Sequence, residues 1–162
     1  MTQVVIPMTI RDLTPEDLPS CAWSGPATHL ASIARALERA RGGVVDYLAV
    51  CRRPACRSRS AGSTTPRTPA RARCGQLAVH GALPSCGIGT ILIQAAEQRI
   101  HARGLHRAEL GVEEHNPRAR ALYERLGYTA YGREPESWDK EAPDGTITRY
   151  DTVLTLMRKE LP

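Results

Sequence analysis

The sequence has no apolar run approaching the length that spans a bilayer, and its first twenty residues lack a basic start followed by an apolar core. Neither a membrane helix nor a secretory leader is therefore expected, and the cytoplasm is the expected location. Lysine is nearly missing: Lys140 and Lys159 are the only two, which excludes a P-loop, since no Gly-Lys-Ser/Thr can be built. Five cysteines, an odd number at irregular spacing, exclude a disulfide scaffold as the organising device and leave reduced thiols as the expectation. A further absence is local. From Arg52 to Gly75 there is no Val, Ile, Leu, Met or aromatic residue, so this stretch offers nothing from which a core is ordinarily built and has the composition of a linker.

The net charge of +5 has one source. Residues 51–74 hold seven arginines and no Asp, Glu or Lys, and outside them 15 basic residues face 17 acidic ones. A nucleic-acid-binding arm is one reading of this segment, but it has no interleaved aromatics and no recognition element, so nucleic acid is not the expected partner. A zinc site from Cys51, Cys56, Cys74 and His80 is another; its spacing is loose, and no metal is expected. At 162 residues the chain is expected to form one domain over 1–162, with 51–75 an irregular Arg-rich segment in place of a strand.

The remaining sequence alternates strand and helix patterns. Thr9–Leu13 reads as a strand, and Thr14-Pro15-Glu16-Asp17 as the cap and acidic first turn of a short helix. Leu30, Ile33, Ala34 and Leu37 recur at helical spacing until Gly42 and Gly43. Asp46–Val50 reads as a strand, and so does the segment holding Leu77 and Val79. Ile88, Ile91, Leu92, Ala95, Ala96 and Ile100 mark a helix starting near Gly87 and ending at Gly104. Ala108, Leu110 and Val112 alternate as a strand. Asn116 and Pro117 open a second helix, with a stripe of Ala119, Leu122, Tyr123 and Leu126 before Gly127. Two last strands, Tyr128–Arg133 and Thr148–Met157, flank an acidic segment read as a loop. The class is α+β, with a strand, helix, strand unit at its centre.

A helix start after a Gly-containing turn presents unpaired N–H groups and the positive end of the helix dipole, which suits a pyrophosphate. Ser85–Thr90 has this form. A dinucleotide fingerprint fails, because Leu92 stands where its third glycine is needed.

The segment LAVHGALPSCGIGTILIQAAE, followed at the right distance by NPRARALYERLGY, resembles the two central motifs of the GNAT acetyltransferase superfamily; the opening IRDLTPEDL is similar as well. The resemblance implies a mixed central sheet flanked by helices in three layers, acetyl-CoA as cosubstrate, and N-acetyl transfer to a small-molecule or peptide amine by direct attack, with a homodimer left open. It implies that splayed strands hold pantetheine through the main chain of Leu77, Ala78 and Val79. The N–H groups of Ser85, Cys86, Gly87, Ile88, Gly89 and Thr90 would hold the pyrophosphate, with the Thr90 hydroxyl assisting. Asn116 would bond the pantetheine arm, the Val79 N–H would stabilise the oxyanion, and Tyr123 would protonate the leaving thiolate. For the base that takes the amine proton the sequence offers Glu113, Glu114, His80 and His115, and a base acting through water is equally consistent; Glu113 is taken as the candidate.

Two departures from the family pattern weigh on this reading. Pro84 stands where Gln or Arg is expected, removing one N–H donor, and Gly81 stands at a common Pro position. Weakened cofactor binding follows, and a non-catalytic CoA-binding protein is the alternative to the enzyme.

Overall fold

The computed structural model describes residues 7–43, 45–52, 64–66, 72–75, 77–80 and 87–162. Strand β1 (Met8–Asp12) pairs antiparallel with β2 (Val45–Arg52), Met8 opposite Arg52 and Asp12 opposite Leu48. Between them Thr14 opens a 3-10 helix, Pro15–Ser24, through a capping box. Asp17 Oδ2 accepts from the Thr14 amide at 2.9 Å, and Arg11 donates to both Asp17 oxygens at 2.6 and 2.7 Å. Helix α1 (Ala27–Arg41) follows, and Gly43 supplies the positive φ (73°) that turns the chain into β2.

Alternation along β2 divides the interior. Tyr47 and Ala49 face α1 and the 3-10 helix, packing with Leu13, Cys21, Ile33, Ala36 and Leu37. Leu48 and Val50 point the other way, into the larger core beneath helix α2 (Ile88–Ala102). That core also takes Leu92, Ala96 and Ile100 from α2 and Leu110, Tyr128 and Met157 from the elements below.

Three expectations are corrected. The Arg-rich segment is not wholly irregular: it supplies β3 (Thr64–Pro66), paired with β2, and β4 (Ala72–Cys74), paired parallel with β5 (Arg107–Glu113). Ala72 and Cys74 are both buried in the core. A three-residue strand needs only two inward side chains, and small ones fit where α2 lies close, so the absence of large apolar residues did not forbid it. The strand also stands earlier than expected, since Leu77–His80 follow β4 outside any ladder. Finally, Glu134, Glu136, Asp139 and Glu141 belong to a strand and not to a loop: β6 (Thr129–Glu141) pairs with β7 (Ile147–Glu160) along its length. Only Asp144 lies in the turn, where it accepts from the Thr146 amide at 2.9 Å.

The strands are ordered β1-β2-β3 in one sheet and β4-β5-β7-β6 in the other. Among the described residues only the β4–β5 pair is parallel, and α2 makes its crossover, which gives the expected mixed sheet and central β-α-β unit. Helix α3 (Pro117–Arg125) connects β5 to β6. Lys159 on β7 reaches Glu97 on α2 at 2.8 Å, pinning the helix to the sheet. No helix among the described residues is long and apolar enough to cross a membrane.

Candidate active site

The site begins where two parallel strands part. The β4–β5 ladder ends at the pair Cys74 and Leu110, yet β5 continues to Glu113 with β7 as its partner on the other edge. Leu77, Ala78 and Val79 lie beyond the end of that ladder, with Val79 37% exposed. Backbone at such a parting must find donors and acceptors elsewhere, and an extended amide-bearing ligand can supply them.

Above this gap stands the start of α2. Gly87 is its N-cap in the left-handed conformation (φ 75°), and a Cβ added there would meet nothing within 4 Å among the described residues. Ile88, Gly89 and Thr90 form the first turn, whose N–H groups have no acceptor within the helix; the first intrahelical bond runs from the Ile91 amide to the Gly87 carbonyl, 3.0 Å. Unpaired amides at an open helix start are of the kind that can hold an anion. Ile88 can offer only its N–H, because its side chain is in the core. Gly89 faces inward, its Cα against Leu122 of α3 and Leu77, so its lack of a side chain serves packing. Ser85, Cys86 and Pro84 lie outside the described residues.

Asn116 caps α3 as the sequence predicts: its Oδ1 accepts from the Ala119 amide at 3.0 Å, leaving Nδ2 to donate. Two turns on, Tyr123 points into the core. It is 7% exposed and packs edge-on against Tyr128, ring centroids 6.1 Å apart. Burial, with the Cys74 thiol nearby, pushes its phenol up to about 12. At neutral pH Tyr123 therefore holds its proton and can act as a donor.

The candidate base lies on the opposite side of the sheet. Alternation along β5 sends Ala108, Leu110 and Val112 into the core with Tyr123, and Glu109, Gly111 and Glu113 to the far face. Glu113 there accepts a hydrogen bond from the Tyr150 hydroxyl of β7, Oη to Oε2 3.0 Å. The other three candidates are placed differently. Glu114 is ion-paired to Arg133 at 2.5 Å. His80 packs its ring edge-on against Trp23 at 5.0 Å. His115 is exposed in the turn before α3. Sequence reading missed both Tyr150 and Trp23, since each meets its partner only through the fold. Cys74, one of the zinc candidates, is turned into the core, and among the described residues no group of His, Cys, Asp and Glu is placed to hold a metal ion.

Known proteins share this fold. Residues 55–128 match the acetyltransferase (GNAT) family. Over 61 residues the chain is 44% identical to the mycothiol acetyltransferase of Beutenbergia cavernae, a match that takes in 36% of this chain and 20% of that protein's length. The ribosomal-protein-S18-alanine N-acetyltransferase of Escherichia coli superposes with a TM-score of 0.70 at 21% identity, covering 95% of this chain and 94% of that one. A GNAT family acetyltransferase from Elizabethkingia anophelis with acetyl-CoA bound superposes with a TM-score of 0.66 at 17% identity, over 95% and 98% of the two chains. The fold is thus the one these acetyltransferases share, and the likeness to the acetyltransferase (GNAT) family lies over residues 55–128.

Proposed function

We propose that this chain transfers the acetyl group of acetyl-CoA to a primary amine by direct attack within a ternary complex. One observation carries the reading: Tyr123 and Glu113 sit on opposite faces of the sheet, beside the gap where β4 and β5 part. A thioester lying in that gap has a proton donor on one side and a proton acceptor on the other. The two substrates can then enter from opposite faces without an acyl-enzyme.

In this reading the amides of Gly87–Thr90 bind the pyrophosphate and the main chain of Leu77–Val79 orders the pantetheine, aided by Asn116. Glu113 takes the amine proton, the Val79 N–H donates to the developing oxyanion, and Tyr123 gives its proton to the departing thiolate. The acetyl-CoA complex of the neighbour from Elizabethkingia anophelis supports the cosubstrate. The alanine acetyltransferase likeness supports a small-molecule or peptide amine as acceptor. We place the protein in the cytoplasm, where the buried thiols Cys21 and Cys74 stay reduced, as one domain over 1–162 and without nucleic acid as a partner.

Calorimetric titration with acetyl-CoA, run beside a thiol-release assay on wild type and Tyr123→Phe, tests the proposal. Binding with release that depends on Tyr123 is the expected result. Binding without release to water, methylamine, a diamine or a free peptide N-terminus would make this a non-catalytic CoA-binding protein, and absence of binding by folded protein would overturn the reading altogether.

A further inference from the structure

Beyond the end of β5 the β6–β7 pair continues as a two-stranded ribbon: Glu113 is the last residue of β5 and lies opposite Leu154, while the β6–β7 ladder runs on to Glu141 and Ile147. Midway along this ribbon stands an aromatic cluster that reaches back to Glu113. Tyr150 donates its hydroxyl to Glu113 Oε2 at 3.0 Å. Trp138, its cross-strand partner, packs a tilted ring against it with centroids 5.1 Å apart. The Lys140 ammonium stands 5.0 Å from the Tyr150 ring centroid. The ring is thus held by Trp138 and Lys140, and a cation over its face draws electron density from the phenol and strengthens the hydroxyl as a donor.

We infer that Tyr150 is a positioning residue for acetyl transfer, fixing the Glu113 carboxylate so that one oxygen is committed to Tyr150 and the other is left to receive the proton of the incoming amine. The inference rests on the proposed transferase reading and deepens it. The balance is simple: the N–H proton passes to Oε1 of Glu113 as the nitrogen lone pair forms the bond to the acetyl carbon. Collapse then breaks the carbon–sulfur bond, and the thiolate takes a proton from Tyr123. Tyr150 keeps its own proton throughout. A carboxylate on a strand end has two free torsions beyond Cβ, and one fixed hydrogen bond removes most of that freedom before the amine arrives.

The ribbon explains why the residue comes from so far along the chain. Its other end is tied to α1, where the Thr28 amide donates to Glu141 Oε2 at 3.1 Å. Tyr150 lies between this anchor and the β5 pairing, so it is held at both ends.

The test is a double-mutant cycle with Tyr150→Phe and Glu113→Gln, measuring thiol release from acetyl-CoA to methylamine and to water, with acetyl-CoA affinity by calorimetry and melting temperature alongside. Tyr150→Phe is expected to lower kcat about tenfold with the acetyl-CoA dissociation constant and melting temperature unchanged. In the Glu113→Gln background the same change should cost nothing further, because there is no base left to position. Equal losses in both backgrounds would overturn the inference, as would Tyr150→Phe with full kcat. If Glu113→Gln itself leaves release unchanged, the inference falls while Tyr123-dependent release still upholds the transferase. Acetyl-CoA binding with no release by wild type sinks both.

Discussion

Gly89 lies against Leu122: a Cβ built on Gly89 would stand 3.2 Å from Leu122 Cδ2, so the first turn of α2 and the middle of α3 meet with only a hydrogen between them. Two residues earlier Gly87 is the converse, with no described residue near its missing Cβ but at φ 75°. One glycine answers a neighbour and the other answers its own backbone.

The two glycines should therefore respond differently to alanine. In Gly89→Ala the gain in helix propensity, up to about 1 kcal/mol, is set against a methyl that Leu122 can rotate away from, and stability should stay within about 1 kcal/mol of wild type. Gly87→Ala should lose about 1–2 kcal/mol to left-handed strain and, by reshaping the α2 cap, weaken acetyl-CoA as well. Urea melts paired with calorimetry separate the two. Equal losses in stability would mean that the positive φ at Gly87 does not matter.

Tyr123→Phe keeps the ring that packs against Tyr128 and removes only the hydroxyl. Thiol release should fall about 100-fold while acetyl-CoA affinity is unchanged. Because burial holds the phenol proton up to about 12, no alkaline loss of kcat between about pH 7 and pH 10 should trace to Tyr123, the ordinary tyrosine value being about 10. Stability should show the matching sign: in the unfolded chain the phenol ionises first, so stability present below about pH 10 is lost as pH rises through 12. Tyr47 and Tyr128, also pushed up by burial, steepen that loss. A descending limb near pH 8 that vanishes in Tyr123→Phe would contradict the burial argument.

The parts of this site that were legible in the sequence are those set by neighbours along the chain. Asn116-Pro117 announces a helix start by cap chemistry, and the spacing from Ala119 to Leu126 places Tyr123 on the inner side. Gly87 and Gly104 bracket α2 because turns need their backbones. Strand β4 was not legible, since Ala72 and Cys74 at buried positions look no different from small residues in a linker. The ribbon was not legible either: beyond β5 it has no further sheet partner among the described residues and is tied to α1 at Glu141, and Trp138, at 37% exposed, and Ile147, at 59%, follow no inward alternation. The Tyr150–Glu113 bond joins residues 37 apart in the chain, a separation at which no local spacing rule operates.

Asn116 does two jobs with two atoms, and substitution can divide them. Its Oδ1 caps α3 through the Ala119 amide, while Nδ2 is the group proposed to meet pantetheine. Asn116→Asp retains the cap and should melt within about 0.5 kcal/mol of wild type, yet raise the KM for acetyl-CoA several-fold. Asn116→Ala should add to that defect a stability loss of about 1 kcal/mol. If Asn116→Asp has wild-type KM, the side-chain amide makes no contact with the cosubstrate and Asn116 is a cap alone.

Acid stability should centre on the start of the fold, where Arg11 and Thr14 converge on Asp17. The Arg11 guanidinium, against the cost of burial, holds the Asp17 carboxyl down to about 2 from an ordinary 3.8. The unfolded chain therefore takes up this proton first as pH falls. The stability that the pair contributes is complete above 3.8 and is lost as pH drops through 2. Asp17→Asn removes the charge but keeps the shape, and at pH 7 it should cost about 2 kcal/mol, since Arg11 loses its charge-assisted hydrogen bonds to Asp17. As pH falls both proteins lose their other carboxylate pairs alike, but the wild type should weaken further as Asp17 takes up its proton, so their urea midpoints should converge near pH 2. Midpoints that stay parallel from pH 7 downward would show that the loss in Asp17→Asn comes from the 3-10 cap alone, and that the Arg11–Asp17 pair contributes nothing that titrates.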